Sequence, residues 1–167
     1  MTQPGFFIRR ANINDMEQLA ELCSETFIDT YSGENKKSDI QHYIENNFSA
    51  ENITRELLGN QNVFFVSEKN GRFSGYVKLT RKKSKTEIAR IYVRKEYFGT
   101  GLARQLVEKS KEYSSAEGIR TLYLAVWQNN HRAIAFYKKC GFLITGNTTF
   151  DWGTGKIDKD LEMELTF

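Results

Sequence analysis

The stretch that most constrains the fold runs from Thr86 to Ala116, TEIARIYVRKEYFGTGLARQLVEKSKEYSSA. Glu87 to Val93 alternates and carries Ile and Val residues, a pattern that predicts a strand. A charged turn (Arg94-Lys95-Glu96), two aromatics and Gly99-Thr100-Gly101 follow. Leu102, Leu106, Val107 and Tyr113 then recur at helical spacing, which predicts an amphipathic helix. A strand feeding a glycine-rich turn that opens a helix is a device for holding phosphates. The first amides of the helix have no intrahelical partner, the dipole adds partial positive charge there, and glycine lets an anion approach the backbone. No Gly-Lys-Ser/Thr follows, which excludes a Walker loop, and Arg104 stands where a dinucleotide fingerprint has its third glycine. The plainer reading is a tight strand-to-helix turn with glycines for close packing.

A second segment, Leu122 to Phe142, reads LYLAVWQNNHRAIAFYKKCGF: a strand, an Asn, then a helix with Ala-x-x-x-Tyr ending in Gly-Phe. In this order and at this separation, the two segments resemble the signatures of the GNAT family of acetyl-CoA-dependent N-acetyltransferases. That family's pyrophosphate loop is Gln/Arg-x-x-Gly-x-Gly/Ala after an Ile-Tyr-Val-type strand. Here it is Phe98-Gly99-Thr100-Gly101-Leu102-Ala103 after Ile91-Tyr92-Val93, and Phe98 departs from the pattern. The resemblance covers nearly the whole chain. It implies an α/β fold with a mixed, mostly antiparallel sheet, a splayed parallel strand pair and flanking helices.

The length of 167 residues fits one domain over 1–167, its core beginning near residue 6. Forty per cent apolar residues suffice for a core without staples. Cys23 and Cys140 read as buried thiols of a reducing compartment. No apolar run approaches the roughly 20 residues of a membrane span. Met1-Thr2-Gln3-Pro4-Gly5 lacks the basic start and apolar run of a signal peptide, so a cytoplasmic protein is expected. A net charge of +3 does not argue for nucleic acid, and Arg81-Lys82-Lys83-Ser84-Lys85 reads as a solvated hairpin turn.

In chain order, Phe6–Arg10 is expected as a strand, with Asn14-Asp15-Met16-Glu17 as an Asn-led capping box opening a helix that ends near Tyr31. Helices are expected over Lys37–Asn46 and, capped by Ser49, over Ala50–Leu58. Strands Val63–Glu68 and Phe73–Arg81 flank an Asn70-Gly71 hairpin. After the organising stretch come Gly118 as a helix stop, a strand Thr121–Trp127, a helix Arg132–Cys140 closed by Gly141, and a hairpin of Phe142–Phe150 with Ile157–Phe167.

The resemblance implies direct transfer of acetyl from acetyl-CoA to an amine, leaving CoA, with no metal. Its cofactor segment maps onto Ile91, Tyr92 and Val93 through their backbone groups, onto Phe98 to Arg104 at the loop (Phe98, Gly99, Thr100, Gly101, Leu102, Ala103, Arg104), and onto Asn130 and Tyr137. Tyr137 matches the family's tyrosine near the leaving sulfur. A reference phenol near 10 and thiol near 8.5 make full proton transfer uphill by roughly 2 kcal/mol, so hydrogen bonding and transfer both stay open. Tyr137 also fits simple core packing beside Ile134. Asn130 reads equally as an N-cap. The acceptor amine arrives protonated and must lose a proton. Glu87 matches the position of a catalytic glutamate in several family members, acting through water. It reads equally as a strand residue paired with a lysine.

The segment Glu25–Ser32 and the motif Ile144–Gly153 (ITGNTTFDWG) are similar to bacterial spermidine/spermine acetyltransferases. Asp29, Tyr31 and Trp127 are the acceptor-side candidates, with Glu25 and Glu34 as further carboxylates along a groove; solvated helix or core packing explains them equally. The expected partner is a small amine, most simply a polyamine. A protein N-terminus or aminoglycoside-like amine is the alternative, and a non-catalytic acyl-CoA sensor the other class. No nucleic acid or membrane partner is expected, and a homodimer is left open.

Overall fold

The computed structural model describes residues 5–167. Met1–Pro4, part of the segment read for a leader, lies outside the described residues. The elements are β1 (Phe7–Arg10), α1 (Met16–Tyr31), α2 (Lys37–Asn47), α3 (Ala50–Leu58), β2 (Asn62–Lys69), β3 (Arg72–Arg81), β4 (Thr86–Val93), α4 (Leu102–Ala116), β5 (Thr121–Trp127), α5 (His131–Lys139), β6 (Leu143–Asp151) and β7 (Ile157–Thr166). The strands form a seven-stranded sheet in the order β1-β2-β3-β4-β5-β7-β6. Among the described residues, only the β4–β5 contact is parallel.

The central strands are buried on both faces, as alternation in β2 makes plain. Val63 and Phe65 join a core with Leu102, Leu106 and Val107 of α4 and Ile134 and Tyr137 of α5. Phe64 and Val66 join a second core with Leu19, Leu22 and Cys23 of α1, Ile40 of α2 and Ile53 of α3. Helices α1–α3 thus cover one face and α4–α5 the other.

The local signals act much as their chemistry requires. Asn70 (φ 53°) and Gly71 (φ 75°) take the left-handed pair of a two-residue hairpin. Ser49 accepts from the Asn52 amide at 3.2 Å and starts α3. The basic run closes the β3–β4 hairpin through Lys82 N–H to Lys85 C=O at 3.0 Å. One expectation is corrected. The capping box is led by Asn12, not Asn14: Asn12 accepts from the Asn14 amide and Asp15 accepts from the Asn12 amide. The reason lies in β1, where Arg9 grips both oxygens of Asp15 at 2.8 Å. That hydrogen-bonded guanidinium holds the Asp15 carboxyl below its usual range and fixes a 3-10 turn, Ile13–Asp15, ahead of α1.

Both cysteines are free, Cys23 buried and Cys140 partly so. None of the described helices is long and apolar enough to cross a membrane.

Gly75 of β3 sets how closely α4 approaches the sheet. A Cβ there would lie 2.9 Å from the Tyr92 carbonyl oxygen and 3.3 Å from Leu102 Cδ2. Gly75→Ala is therefore expected to destabilise by about 1–3 kcal/mol through overpacking. At roughly 2–4 °C per kcal/mol, calorimetry should register a lower Tm; an unchanged Tm would refute the packing account.

Candidate active site

β4 and β5 pair only at Thr86–Leu122 and Glu87–Tyr123. Beyond these two rungs they diverge, and the edge of β4 facing β5 has no ladder from Ile88 onward. On its other edge β4 skips a residue: Leu79 faces Ile88 and Lys78 faces Arg90, so Ala89 is the extra residue of a bulge. The divergence opens a cleft of about 830 Å³. Its walls include Ile88–Val93, Leu124–Trp127, the loop before α4, the first turns of α4 and α5, and Tyr31.

The loop is built as the sequence requires. Gly99 (φ 78°) and Gly101 (φ 84°) are left-handed, and an added Cβ at either would meet nothing within 4 Å. Glycine is needed here for backbone conformation and open approach, not for packing. Gly101 caps α4, whose first amides, Leu102, Ala103 and Arg104, have no intrahelical partner. Thr100 turns back, its hydroxyl donating to Tyr97 C=O at 2.6 Å. Phe98 is 44% exposed. The Arg132 guanidinium lies 3.5 Å from the centre of its ring, which returns a cation to the loop where a polar side chain was expected. Arg132 and the lysine of the turn, Lys95, were not foreseen as cleft residues. A cation at the start of a helix is disfavoured by the dipole, and that was the available signal for Arg132.

The side chains of Ile91 and Val93 pack toward the α4 core, while Tyr92 packs toward α1. Their backbone is thereby left free for the cleft. Asn130 caps α5, accepting from the Ala133 amide at 3.2 Å, and still lines the cleft. Tyr137 is buried against Phe136 and Phe142 and also lines the cleft. Burial is the main cause that pushes its phenol well above the ordinary range.

On the α1 side, the Tyr31 hydroxyl lies 3.4 Å from that of Tyr92, and its ring 6.0 Å from Trp127. Burial chiefly holds the Tyr31 phenol up at about 12, with the charge of Asp160 adding to it. Glu87 accepts from Tyr123 Oη at 3.2 Å and sits 3.4 Å from Lys82 Nζ. Asp29 reaches the rim, 3.5 Å from Lys95 Nζ. The expected row of α1 carboxylates does not form. Glu25 is ion-paired with Arg94 and 3.9 Å from Arg72, in a separate small cavity, and Glu34 is exposed outside the cleft. The buried Arg94, anchored to Phe73 C=O at 2.7 Å, claims Glu25 before any ligand can. Of the α1 carboxylates only Asp29 lines the cleft; Glu87 of β4 and Asp158 and Asp160 of β7 line it as well.

Residues 16–142 match the model of the acetyltransferase (GNAT) family, and the chain belongs to that family. It is an N-acetyltransferase of that class. An uncharacterised N-acetyltransferase from the pepI 3′ region of Lactobacillus delbrueckii subsp. lactis is 28% identical over 145 residues, 82% of this chain and 84% of that one. The spermidine N(1)-acetyltransferase of Thermoplasma acidophilum is 26% identical over 141 residues, 82% of this chain and 88% of that one. The crystal structure of the PaiA N-acetyltransferase of T. acidophilum, in complex with coenzyme A, superposes with a TM-score of 0.85 at 25% identity, covering 97% of this chain and 99% of that one.

Gly101→Asp adds bulk and like charge where the amides converge. Acetyl-CoA affinity measured by calorimetry is expected to fall at least about tenfold, about 1.4 kcal/mol, in a folded variant. Unaltered affinity would remove the loop from phosphate binding.

Proposed function

We propose that this enzyme moves acetyl from acetyl-CoA directly to a primary amine of a small polyamine such as spermidine. The observation that carries the donor half is the two-rung β4–β5 pair, which diverges into a cleft ending at a loop of free amides. The amides of Gly99, Gly101 and the start of α4, with Arg132 and Arg104 beside them, hold the pyrophosphate. The unpaired edge of Ile91–Val93 holds the pantetheine arm, and Asn130 offers its amide from the head of α5. Acetyl-CoA supplies the activated acetyl group.

Tyr137, which lines the cleft, donates a hydrogen bond to the sulfur as negative charge develops there. A buried phenol raised above its reference value is a still poorer proton source for a thiol near 8.5. Donation without full transfer is therefore its role. Ala89, without a partner on β3, leaves a backbone group at the cleft that can serve the carbonyl oxygen in the same sense. The acceptor arrives as an ammonium, since a primary amine near 10.4 is almost wholly protonated at pH 7. Glu87 receives that proton through water, because a carboxylate already engaged by Tyr123 and Lys82 is a relay partner and not a direct base. Tyr31 and Trp127 present aromatic faces to the cationic chain, and Asp29 adds charge at the rim. Similarity to a spermidine acetyltransferase supports the same acceptor class.

Steady-state assays with acetyl-CoA across spermidine, spermine, lysine-containing peptides and an aminoglycoside test the reading. Higher kcat/KM for the polyamines is expected. Turnover confined to peptides or aminoglycosides would replace the acceptor and leave the donor half intact. Tyr137→Phe should lower kcat by about 10²–10³-fold, the range for losing one charge-stabilising donor, with little change in acetyl-CoA affinity. If chemistry limits turnover and kcat holds, Tyr137 is only a core residue.

A further inference from the structure

Four carboxylates alternate along β7: Asp158, Asp160, Glu162 and Glu164. A strand of period two puts them on one face. Register pairs Glu164 with Tyr123, Glu162 with Ala125 and Asp160 with Trp127 of β5. The other face of β7 carries Met163 and Leu165 into the core. A row of acids on an outer face is ordinarily solvated or paired, and three of the four fit that description. Asp158 accepts from Trp152 Nε1 at 2.8 Å and lies 3.9 Å from Lys156 Nζ. Glu164 is 2.7 Å from Lys85 Nζ. Glu162 is exposed.

Asp160 does not fit. It is only 8% exposed, has no hydrogen bond or ion pair to any described side chain, and lines the cleft between Trp127 and Thr148. Burial first, and the neighbouring Asp158 second, push its carboxyl up to about 6. A buried charge without a partner is costly. No described side chain compensates it, and a cation arriving through the cleft would. Tyr31 and Trp127, 6.0 Å apart, wall that approach with aromatic faces, which favour a desolvated ammonium. Asp158 and Asp160 stand roughly 7 Å apart along the strand, comparable to one propyl or butyl link of a polyamine.

We propose that Asp160 anchors a second, non-reacting ammonium of the acceptor, so that this enzyme selects diamines and polyamines over amines with one charge. The proposal rests on the polyamine reading above and deepens it by naming the residue that measures the second charge. Asp160 is assigned to specificity, and the proton-accepting role stays with Glu87.

The test compares spermidine with n-butylamine, a chain that lacks a second charge, in the native enzyme and in Asp160→Asn. The expected result is a KM for spermidine raised by about tenfold or more, as for truncating one side of a buried charge pair. The kcat should hold within about twofold, and the butylamine and acetyl-CoA KM values should not move. In the unliganded protein the isosteric amide should raise Tm, because it removes a buried charge without altering shape, and the spermidine-induced rise in Tm should shrink. An unchanged spermidine KM, an equal loss for both amines, or a lower Tm would each overturn the assignment; the last would make Asp160 a structural partner. If no amine is acetylated, the function proposed above fails separately. The thermal shift then still decides: a spermidine shift abolished in Asp160→Asn upholds the anchor, and a shift equal in both proteins, or absent from both, rejects it.

Discussion

The interruption of one hydrogen-bond ladder organises this molecule. β4 and β5 keep two rungs and then separate. Backbone groups left without ladder partners need solvent or a ligand, so the interruption persists only if the strands are held from their outer sides. β3 holds β4 across eight residues, Thr86 to Val93, with the bulge at Ala89. β7 holds β5 along its whole length, from Thr121 to Trp127. Below the gap, Ser114 Oγ of α4 donates to Thr86 Oγ1 at 2.8 Å and pins the first of the two rungs to the helix. The cleft is thus a seam between two firmly paired half-sheets.

The two sides of the seam are built from different chemistry. The α4–α5 side is made of main chain: left-handed glycines, the free amides of a helix start, and a strand edge. Such groups are fixed main-chain donors, with Arg104 and Arg132 beside them. The α1–β7 side is made of side chains: tilted and edge-on aromatics from Tyr31, Trp127 and Trp152, and acids from β7. The two kinds of wall face each other across one cleft.

The first side was largely legible in the sequence, the second less so. The strand–glycine–helix segment and the Asn130–Tyr137 helix were legible because their determinants are local: turn glycines, period-3.6 apolar residues and an N-cap lie within one stretch of chain. The shift of the capping box from Asn14 to Asn12 was not legible, because it depends on Arg9 reaching Asp15 from a neighbouring strand. Glu25 looked available on an exposed helix face. Its capture by Arg94 joins residues far apart in the chain. Asp160 reads in sequence as one of several acids on a solvated strand face, and nothing local sets it apart from Glu162.

The sequence by itself therefore determined the order of elements, the conformation of the phosphate-type loop and the membership of the acetyltransferase (GNAT) family. These follow from local backbone preference and hydrophobic period, which neighbouring residues impose on one another. Only the tertiary structure decided which charges are spent inside the protein and which remain for a ligand. Pairing and burial depend on elements that the chain brings together from a distance: β7 beside β5 places Asp160 against Trp127 and near Tyr31, buried and without a partner among the described side chains.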